Sequence, residues 1–317
     1  WLSEIILQQT KVQQGLPYFN NFIREFPTVF DLAKSSEDKV LKLWQGLGYY
    51  SRARNLHYTS KFICSRYNGN FPQNYKDILS LKGVGDYTAS AILSFAFNKR
   101  YAVLDGNVIR VLSRVFGVDS YFDTSSGKKQ FKKLADFNLP KKNSYTYNQA
   151  IMEFGALVCT PKKPKCISCT FQEECYAFSN SEVQMFPRKQ NKIQVKNRYL
   201  NFLIISIGDS TLLKKKIKGI WSGLYEFPSL EFKKDLSVNK VVESKQWTNF
   251  FFKNNFQINN VSSIIIHKLS HQKLHIKFFH VECNKVKSND YKLFKKDQLL
   301  DLPVSKLIEN YLSQSAV

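Results

Sequence analysis

The apolar residues of this chain change their period near residue 180, and that change limits what the chain can fold into more than any other feature. Before it, hydrophobic positions recur at three- and four-residue steps, as in helices with one buried face; after it they fall in runs and alternations of strand length. Between the two lies "SNSEVQMFPRKQNKIQVK", polar and without period, as a linker should be. The length of 317 residues also exceeds what one hydrophobic core usually serves. The expectation is a helical domain over 1–180, a linker over 181–197 and an α+β domain over 198–317, with no internal repeat relating the halves.

In the first part, "SEIILQQTKVQQGLPYFNNFIREF" strings Ile5, Leu7, Val12, Leu16, Phe19 and Ile23 along an apolar stripe, with Ser3 as a cap and Pro17 as a helix start or break. "SEDKVLKLWQGLG" opens on Ser36, keeps Val40, Leu41 and Trp44 on one side and ends at Gly46 and Gly48. "YKDILSLKGVGDYTASAILSFAF" reads as a helix, a glycine turn and a second helix rich in small residues, and "GNVIRVLSRVFGV" and "YNQAIMEFGALVC" supply two more. In the second part, "YLNFLIISIGDSTLLKKKI" carries a hairpin signal at Gly208-Asp209. "KLHIKFFHVE" alternates Leu274, Ile276 and Phe278 with His275, Lys277 and Phe279, the pattern of a half-buried strand, and "DLPVSKLIENYL" reads as a helix started by Pro303.

Four of the six cysteines crowd into "CTPKKPKCISCTFQEEC", where Cys159, Cys166, Cys169 and Cys175 are spaced C-x6-C-x2-C-x5-C. Cys64 and Cys283 stand alone. With no export signal in view, thiolates holding a metal outrank a disulfide framework. Four thiolates in one short loop hold either tetrahedral zinc or an iron–sulfur cluster, and only Cys166 and Cys169 form a zinc-type knuckle, so the spacing leans toward iron without deciding. The first loop of this block carries Lys162, Lys163 and Lys165 among its prolines, a basic finger suited to a phosphate backbone.

The charge agrees with such a partner: Lys+Arg number 47 against 25 Asp+Glu, a formal +22. Counterion release then favours a polyphosphate, although a lysine-rich solvated surface has the same composition. At 43% hydrophobic and 15% aromatic the chain is too apolar for disorder, and no run of about 18 uncharged apolar residues is long enough to span a bilayer. It reads as soluble and globular. It starts at Trp1 rather than methionine, which reads as a fragment whose natural N-terminus is missing. Gly83 and Gly85 permit a tight turn that aims backbone N–H groups at a phosphate, although an ordinary helix–helix turn uses the same glycines. Asp105 is an acid within an apolar run of a basic chain; it caps the helix "NVIRVL" or serves chemistry.

"LQQTKVQQGLPYF", "LWQGLGYYSRARNL", "LKGVGDYTASAI", "LDGNVIRVLSR" and the four-cysteine block, in that order, resemble the helix-hairpin-helix DNA glycosylases with a [4Fe–4S] cluster, over about residues 1–180 almost without gaps. In the endonuclease III branch of that superfamily a lysine nucleophile precedes the Thr of the hairpin motif. Here Tyr87 precedes Thr88, and a phenol cannot form the Schiff base that β-elimination needs. The resemblance is therefore to the adenine DNA glycosylases of the MutY type, which remove adenine mispaired with 8-oxoguanine. "GIWSGLYEFPSL" followed by "HKLSHQKLHIKFF" resembles that family's Nudix-like domain, which reads the 8-oxoguanine. No glutamate-rich magnesium-binding helix follows Phe227, so the Nudix fold is expected without its pyrophosphatase chemistry. The family's Phe-Ser-His recognition turn stands here as Leu269-Ser270-His271, and the leucine removes an aromatic ring from the neighbourhood of the lesion.

The resemblance implies a role for each matching residue. Asp105 would stabilise the oxocarbenium-like sugar left as adenine departs. Glu4 would protonate a ring nitrogen of the leaving base, which burial beside Ile5 and Ile6 would promote. Asn107 would bond near Asp105, and Tyr87 would lie against the reacting nucleotide. Gln9 and Tyr49, at the wedge positions, would fill the gap left by the extruded base. Gly83, Gly85, Lys162, Lys163 and Lys165 would meet the DNA backbone, Leu269, Ser270 and His271 the lesion. Cys159, Cys166, Cys169 and Cys175 would hold one [4Fe–4S] cluster, in a structural role.

The implied protein is a monofunctional adenine DNA glycosylase that leaves an abasic site. Its partner is duplex DNA with A:8-oxoguanine or A:G mispairs; it is a monomer with no membrane partner, cytoplasmic and nucleoid-associated in a bacterium. The rival readings are a bifunctional pyrimidine glycosylase-lyase, a DNA-binding module in which Asp105 merely caps, and a Nudix hydrolase. The resemblance also implies a few dozen residues before the position of Trp1, whose absence is expected to expose Glu4 and lower its pKa.

Overall fold

The computed structural model describes residues 1–191, 194–252, 255–288 and 290–314; positions 192 and 193 of the expected linker lie outside the described residues. In chain order the helices are α1 (Leu2–Leu7), α2 (Val12–Glu25), α3 (Val29–Lys34), α4 (Glu37–Leu43), α5 (Ser51–Tyr67), α6 (Tyr75–Ser80), α7 (Asp86–Phe97), α8 (Gly106–Phe116), α9 (Ser125–Asn138), α10 (Ser144–Leu157) and α11 (Tyr176–Ser179). They are followed by β1 (Lys196–Ile207), β2 (Ser210–Lys215), β3 (Tyr225–Glu226), β4 (Ser229–Phe232), α12 (Val238–Val242), α13 (Lys245–Phe250), β5 (Gln257–Val261), β6 (Ile265–Lys268), β7 (Gln272–Glu282), β8 (Lys292–Lys295) and α14 (Lys306–Gln314). Two compact units result, Trp1–Lys11 with Tyr58–Lys192, and Val12–His57 with Ile193–Val317. Within the second unit, Val12–His57 packs with Ile193–Val317.

In the first unit the glycine turn and its two helices lie where the sequence puts them. Asn74 caps α6, its side chain accepting the Asp77 N–H at 2.9 Å, and α7 buries the run from Thr88 to Ser94, whose small side chains admit neighbouring helices. Asp105 caps α8, which ends at Gly117 in the left-handed conformation, φ +62°. Beneath α8, Val108 and Leu112 pack with Ala102, Val118 and with Phe131 and Ala135 of α9. Helix α9 is not expected from the sequence: its lysines mask a buried i, i+4, i+8 row of Gly127, Phe131 and Ala135.

In the second unit β1 and β7 pair in parallel from Lys196/Gln272 to Ser206/Glu282 at the centre of a sheet ordered β3-β2-β1-β7-β5. The expected hairpin at Gly208-Asp209 joins β1 to β2. One face packs Leu200, Phe202, Leu274, Ile276 and Phe278 against Ile308 and Tyr311 of α14, and the other packs Leu203, Ile205, Phe279 and Val281 against Trp247 and Phe250 of α13. Because both faces are covered, β7 is not half-buried as expected; Phe279 is as buried as Phe278.

Three local expectations are corrected. Ser3 lies inside α1, with Trp1 at the cap position. Pro17 lies inside α2 without ending it, and that helix buries Gly15 and Phe22 while Val12 and Leu16 are 64% and 53% exposed. The edge-on packing of Phe22 against Phe26 and Trp44, all three buried, holds the helix despite the hydrogen bond that proline cannot make. Helix α14 starts at Lys306, with Ser305 Oγ accepting the Ile308 N–H at 3.3 Å, rather than at Pro303. Among the described residues no helix is long and apolar enough to cross a membrane.

Candidate active site

Glu4, on the half-buried side of α1, stands close enough to Tyr87, in the first turn of α7, for its charge to act on the phenol. Burial pushes the Glu4 carboxyl above its ordinary pKa. The expected exposure and lowered pKa of Glu4 are therefore not found. Tyr87 is in turn held well above the usual phenol range, first by burial and then by the negative charges of Glu4 and Asp105, so its hydroxyl stays a donor. One aromatic ring thus stands within electrostatic reach of both candidate carboxylates.

Asp105 uses its two oxygens separately. Oδ1 accepts the Val108 N–H at 2.8 Å and so caps α8; Oδ2 accepts from Asn107 Nδ2 at 2.8 Å. Asn107 is oriented from behind, its Oδ1 accepting from Arg110 Nη2 at 2.9 Å. The largely buried guanidinium of Arg110 also donates to the carbonyls of Cys159, at 2.7 Å, and Gly155, at 2.5 Å. Gly155 lets α10 approach this closely, since a Cβ there would come within 2.8 Å of the Asn107 Cβ. Buried Asn148 fixes the segment leading to Asp105, accepting the Val103 N–H at 3.2 Å and donating to the Tyr101 carbonyl at 2.8 Å. Sequence reasoning missed Arg110 and Asn148.

At the hairpin, Gly83 has φ +86°, which a side chain would strain, and its carbonyl accepts from Gln8 Nε2 at 3.2 Å. Gly85 is different: it caps α7 in extended backbone with no side-chain bond, and a Cβ added to it would meet nothing within 4 Å. Gln9, exposed, adopts φ +55°, a conformation rare for residues other than glycine.

Cys159, Cys166, Cys169 and Cys175 line one cavity together with Phe154, Phe171 and Phe178. Arg114 Nη1 approaches the Cys159 sulfur at 3.4 Å and the Phe171 N–H approaches that of Cys169 at 3.4 Å, donors suited to thiolates. Among the described residues no three such side chains converge on one ion. Four thiols around one largely apolar cavity, two of them met by N–H donors, are a ligand set that an iron–sulfur cluster fits. Lys162, Lys163 and Lys165 are exposed on the adjoining loop, which is held by Arg114 Nη1 to the Thr160 carbonyl at 2.8 Å.

In the second unit Tyr49, Trp221, His267, Leu269, Ser270 and His271 line a cleft. Tyr49 and Trp221 both have positive φ, +48° and +64°. The Tyr49 hydroxyl and Ser270 Oγ are 2.5 Å apart, and Leu269 leans on the core beside Trp221. His271 is exposed, its carbonyl accepting the Lys196 N–H at 3.0 Å. Trp221, not selected from the sequence, is placed by Gly219 and Gly223, whose φ values of +81° and +89° turn the loop around it.

Comparison with known proteins matches both halves of the chain, with the helical match running through Val12–His57. Residues 2–136 match the model of the HhH-GPD superfamily of base excision DNA repair proteins, and residues 201–314 match a NUDIX domain. An adenine DNA glycosylase of Buchnera aphidicola subsp. Schizaphis graminum is 36% identical over 280 residues, 87% of this chain and 78% of that protein. Another, of Buchnera aphidicola subsp. Acyrthosiphon pisum, is 34% identical over 98% of this chain and 89% of its own length. The structure of a thermostable thymine-DNA glycosylase superposes with a TM-score of 0.53 at 31% identity, over 56% of this chain and 82% of that one. With a helical hairpin domain and a Nudix-like domain in the same order, and with relatives this similar over most of both lengths, the chain belongs to the adenine DNA glycosylase family.

Proposed function

We propose that this chain hydrolyses the N-glycosidic bond of adenine paired with 8-oxoguanine, or with guanine, in duplex DNA and leaves an abasic site on an intact strand. The observation that carries this reading is the pair of carboxylates around Tyr87, one of them, Glu4, with its pKa raised by burial. A protonated Glu4 donates its proton to a ring nitrogen of the extruded adenine, which turns a poor anionic leaving group into a neutral one. Asp105, held by the Val108 N–H and by Asn107, faces the sugar as its C1′ becomes cationic and stabilises that charge. Tyr87 has no amine with which to form a Schiff base, so the strand is not cut.

Gly85 and the open first turn of α7 are offered to a phosphate: nothing in the protein's own packing requires glycine there, whereas a backbone approaching closely does. Gln9 and Tyr49, both in the left-handed region, serve as wedges into the base stack, and the cleft of Tyr49, Leu269, Ser270 and His271 reads the opposite base. Cys159, Cys166, Cys169 and Cys175 hold a [4Fe–4S] cluster, which when bound crosslinks the lysine-bearing loop. Hydrolysis itself transfers no electrons.

The test is single-turnover release of adenine from a duplex with adenine opposite 8-oxoguanine, scored for strand breakage with and without alkali. Breakage only after alkali is expected. Breakage without alkali would favour the lyase, and a folded, DNA-binding protein that releases no adenine would return Asp105 to a cap alone.

A further inference from the structure

Helix α4 is tied to the C-terminal strands of its unit by polar bonds that its packing does not require. Val40, Leu41 and Trp44 are fully buried, and a Cβ on Gly223 would come within 2.9 Å of Leu41, so apolar contact alone seats the helix. Yet Asp38 Oδ1 accepts from Lys215 Nζ at 2.7 Å, and its Oδ2 from the Tyr225 hydroxyl at 3.2 Å. One turn on, Lys42 donates to the carbonyls of Leu300 and Leu302, the second at 3.3 Å. Gln45 Oε1 then accepts the Val304 N–H at 3.0 Å, and the Arg54 guanidinium donates to the Ser222 carbonyl, next to Trp221.

The side chains of Lys215 and Asp38 are 38% and 39% exposed, and pairs this wet add little to stability. What they fix is register. Apolar contacts hold the helix in place, and the bonds of Asp38 at one turn and Lys42 at the next add direction to that seat. Immediately beyond α4 the chain turns through Gly46 and Gly48, φ +92° and +80°, into Tyr49, whose hydroxyl lies 2.5 Å from Ser270. A hydrogen bond of that length does not survive a shift of an ångström at the base of the turn.

We propose that Asp38 is a positioning residue for reading the base opposite adenine: by gripping Lys215 and Tyr225 it sets where Tyr49 stands relative to Ser270. The inference rests on the function proposed above and adds to it a determinant outside the cleft, on a helix that touches no base. Asp38 acts on discrimination between 8-oxoguanine and guanine, not on the bond-breaking step.

The experiment uses the full chain with Asp38→Ala, Asp38→Asn, Lys215→Asp and the exchanged pair Asp38→Lys with Lys215→Asp. Single-turnover adenine release is measured opposite 8-oxoguanine and opposite guanine, with a thermal melt of each variant. The ratio of the two rates is expected to fall about threefold in Asp38→Ala, the size of restraint that a half-exposed pair can supply. Asp38→Asn, which keeps an acceptor for Tyr225, should fall less, and the exchanged pair, which restores the charge pair but not that acceptor and sets a carboxylate beside Glu37, should recover part of the ratio. An unchanged ratio in a folded variant overturns the inference, as does an equal fall in both rates, which is what a general loss of structure would give. If Asp38→Ala melts below the assay temperature, Asp38→Asn and the exchanged pair carry the same comparison. A wild-type chain that releases no adenine opposite either base sinks the proposed function along with the inference; one that does, with variants of unchanged ratio, sinks the inference alone.

Discussion

Asp105 divides its work between its two oxygens, and the division makes its two roles separable. In Asp105→Asn the remaining carbonyl oxygen still accepts the Val108 N–H, and asparagine caps helices about as well as aspartate. The melting temperature should therefore stay within a few degrees, while the charge that meets the sugar cation is gone and excision falls by about 10²-fold or more. Equal rates would leave Asp105 as a cap. Glu4 supports a pH test. The active form is the protonated one, and burial raises the pKa, so the alkaline fall of the rate lies above the ordinary carboxylate range rather than within it. Above that pKa the rate should drop about tenfold per pH unit. Glu4→Gln should lose both this dependence and about 10²–10⁴-fold in rate. The sequence supplied Glu4, Tyr87, Asp105 and Asn107 through matching motifs, and these four lie near one another in the fold. It did not supply Arg110 or Asn148, because most of their partners are backbone groups of segments 45 to 49 residues away that meet only when α10 packs, which no local pattern encodes.

At the scale of elements, the loop between Cys159 and Cys166 separates two explanations of the chain's charge. Lys162, Lys163 and Lys165 are exposed, and no ion pair engages them among the described residues. If they meet phosphates, replacing all three by alanine should flatten the dependence of log affinity on log salt by about 0.9 for each phosphate no longer neutralised, with the loop's cysteines and the fold untouched. An unchanged slope would mean that they form a solvated face. Periodicity served the elements unevenly. Helix α4 and the β1–β2 hairpin follow their patterns, with Ser36 as the cap, because cap, apolar stripe and turn glycines agree there. The pattern misled in α2, where Val12, Leu16 and Ile23 form a stripe that faces outward and a single fully buried ring, Phe22, decides which side packs. It misled again in β7, because alternation cannot reveal that a second layer covers the far face.

At the scale of the molecule, length and the change of period speak for more than one core, but a local pattern does not say which segments a helix packs against. The apolar stripe of α4 says that the helix is buried on one side and nothing about what covers it. Its partners are segments 177 to 260 residues away: Asp38 meets Lys215 and Tyr225, and Lys42 meets the carbonyls of Leu300 and Leu302. A chain cut at the linker therefore does not release a complete C-terminal unit. A fragment of residues 194–317 keeps both layers of its own core but leaves the groove around Gly223 open where Leu41 packs, and frees the Ser222 carbonyl and the Val304 N–H from Arg54 and Gln45. Burying one leucine contributes about 1.5–3 kcal/mol, and for a domain of this size each kcal/mol moves the melting temperature by about 4–8 °C. The fragment should therefore fold yet melt about 10 °C below a version that restores residues 12–57 through a short flexible joint, as read by calorimetry on both. Equal melting temperatures would mean that α4 only rests on this unit, and that the grip of Asp38 has no bearing on the strands it touches.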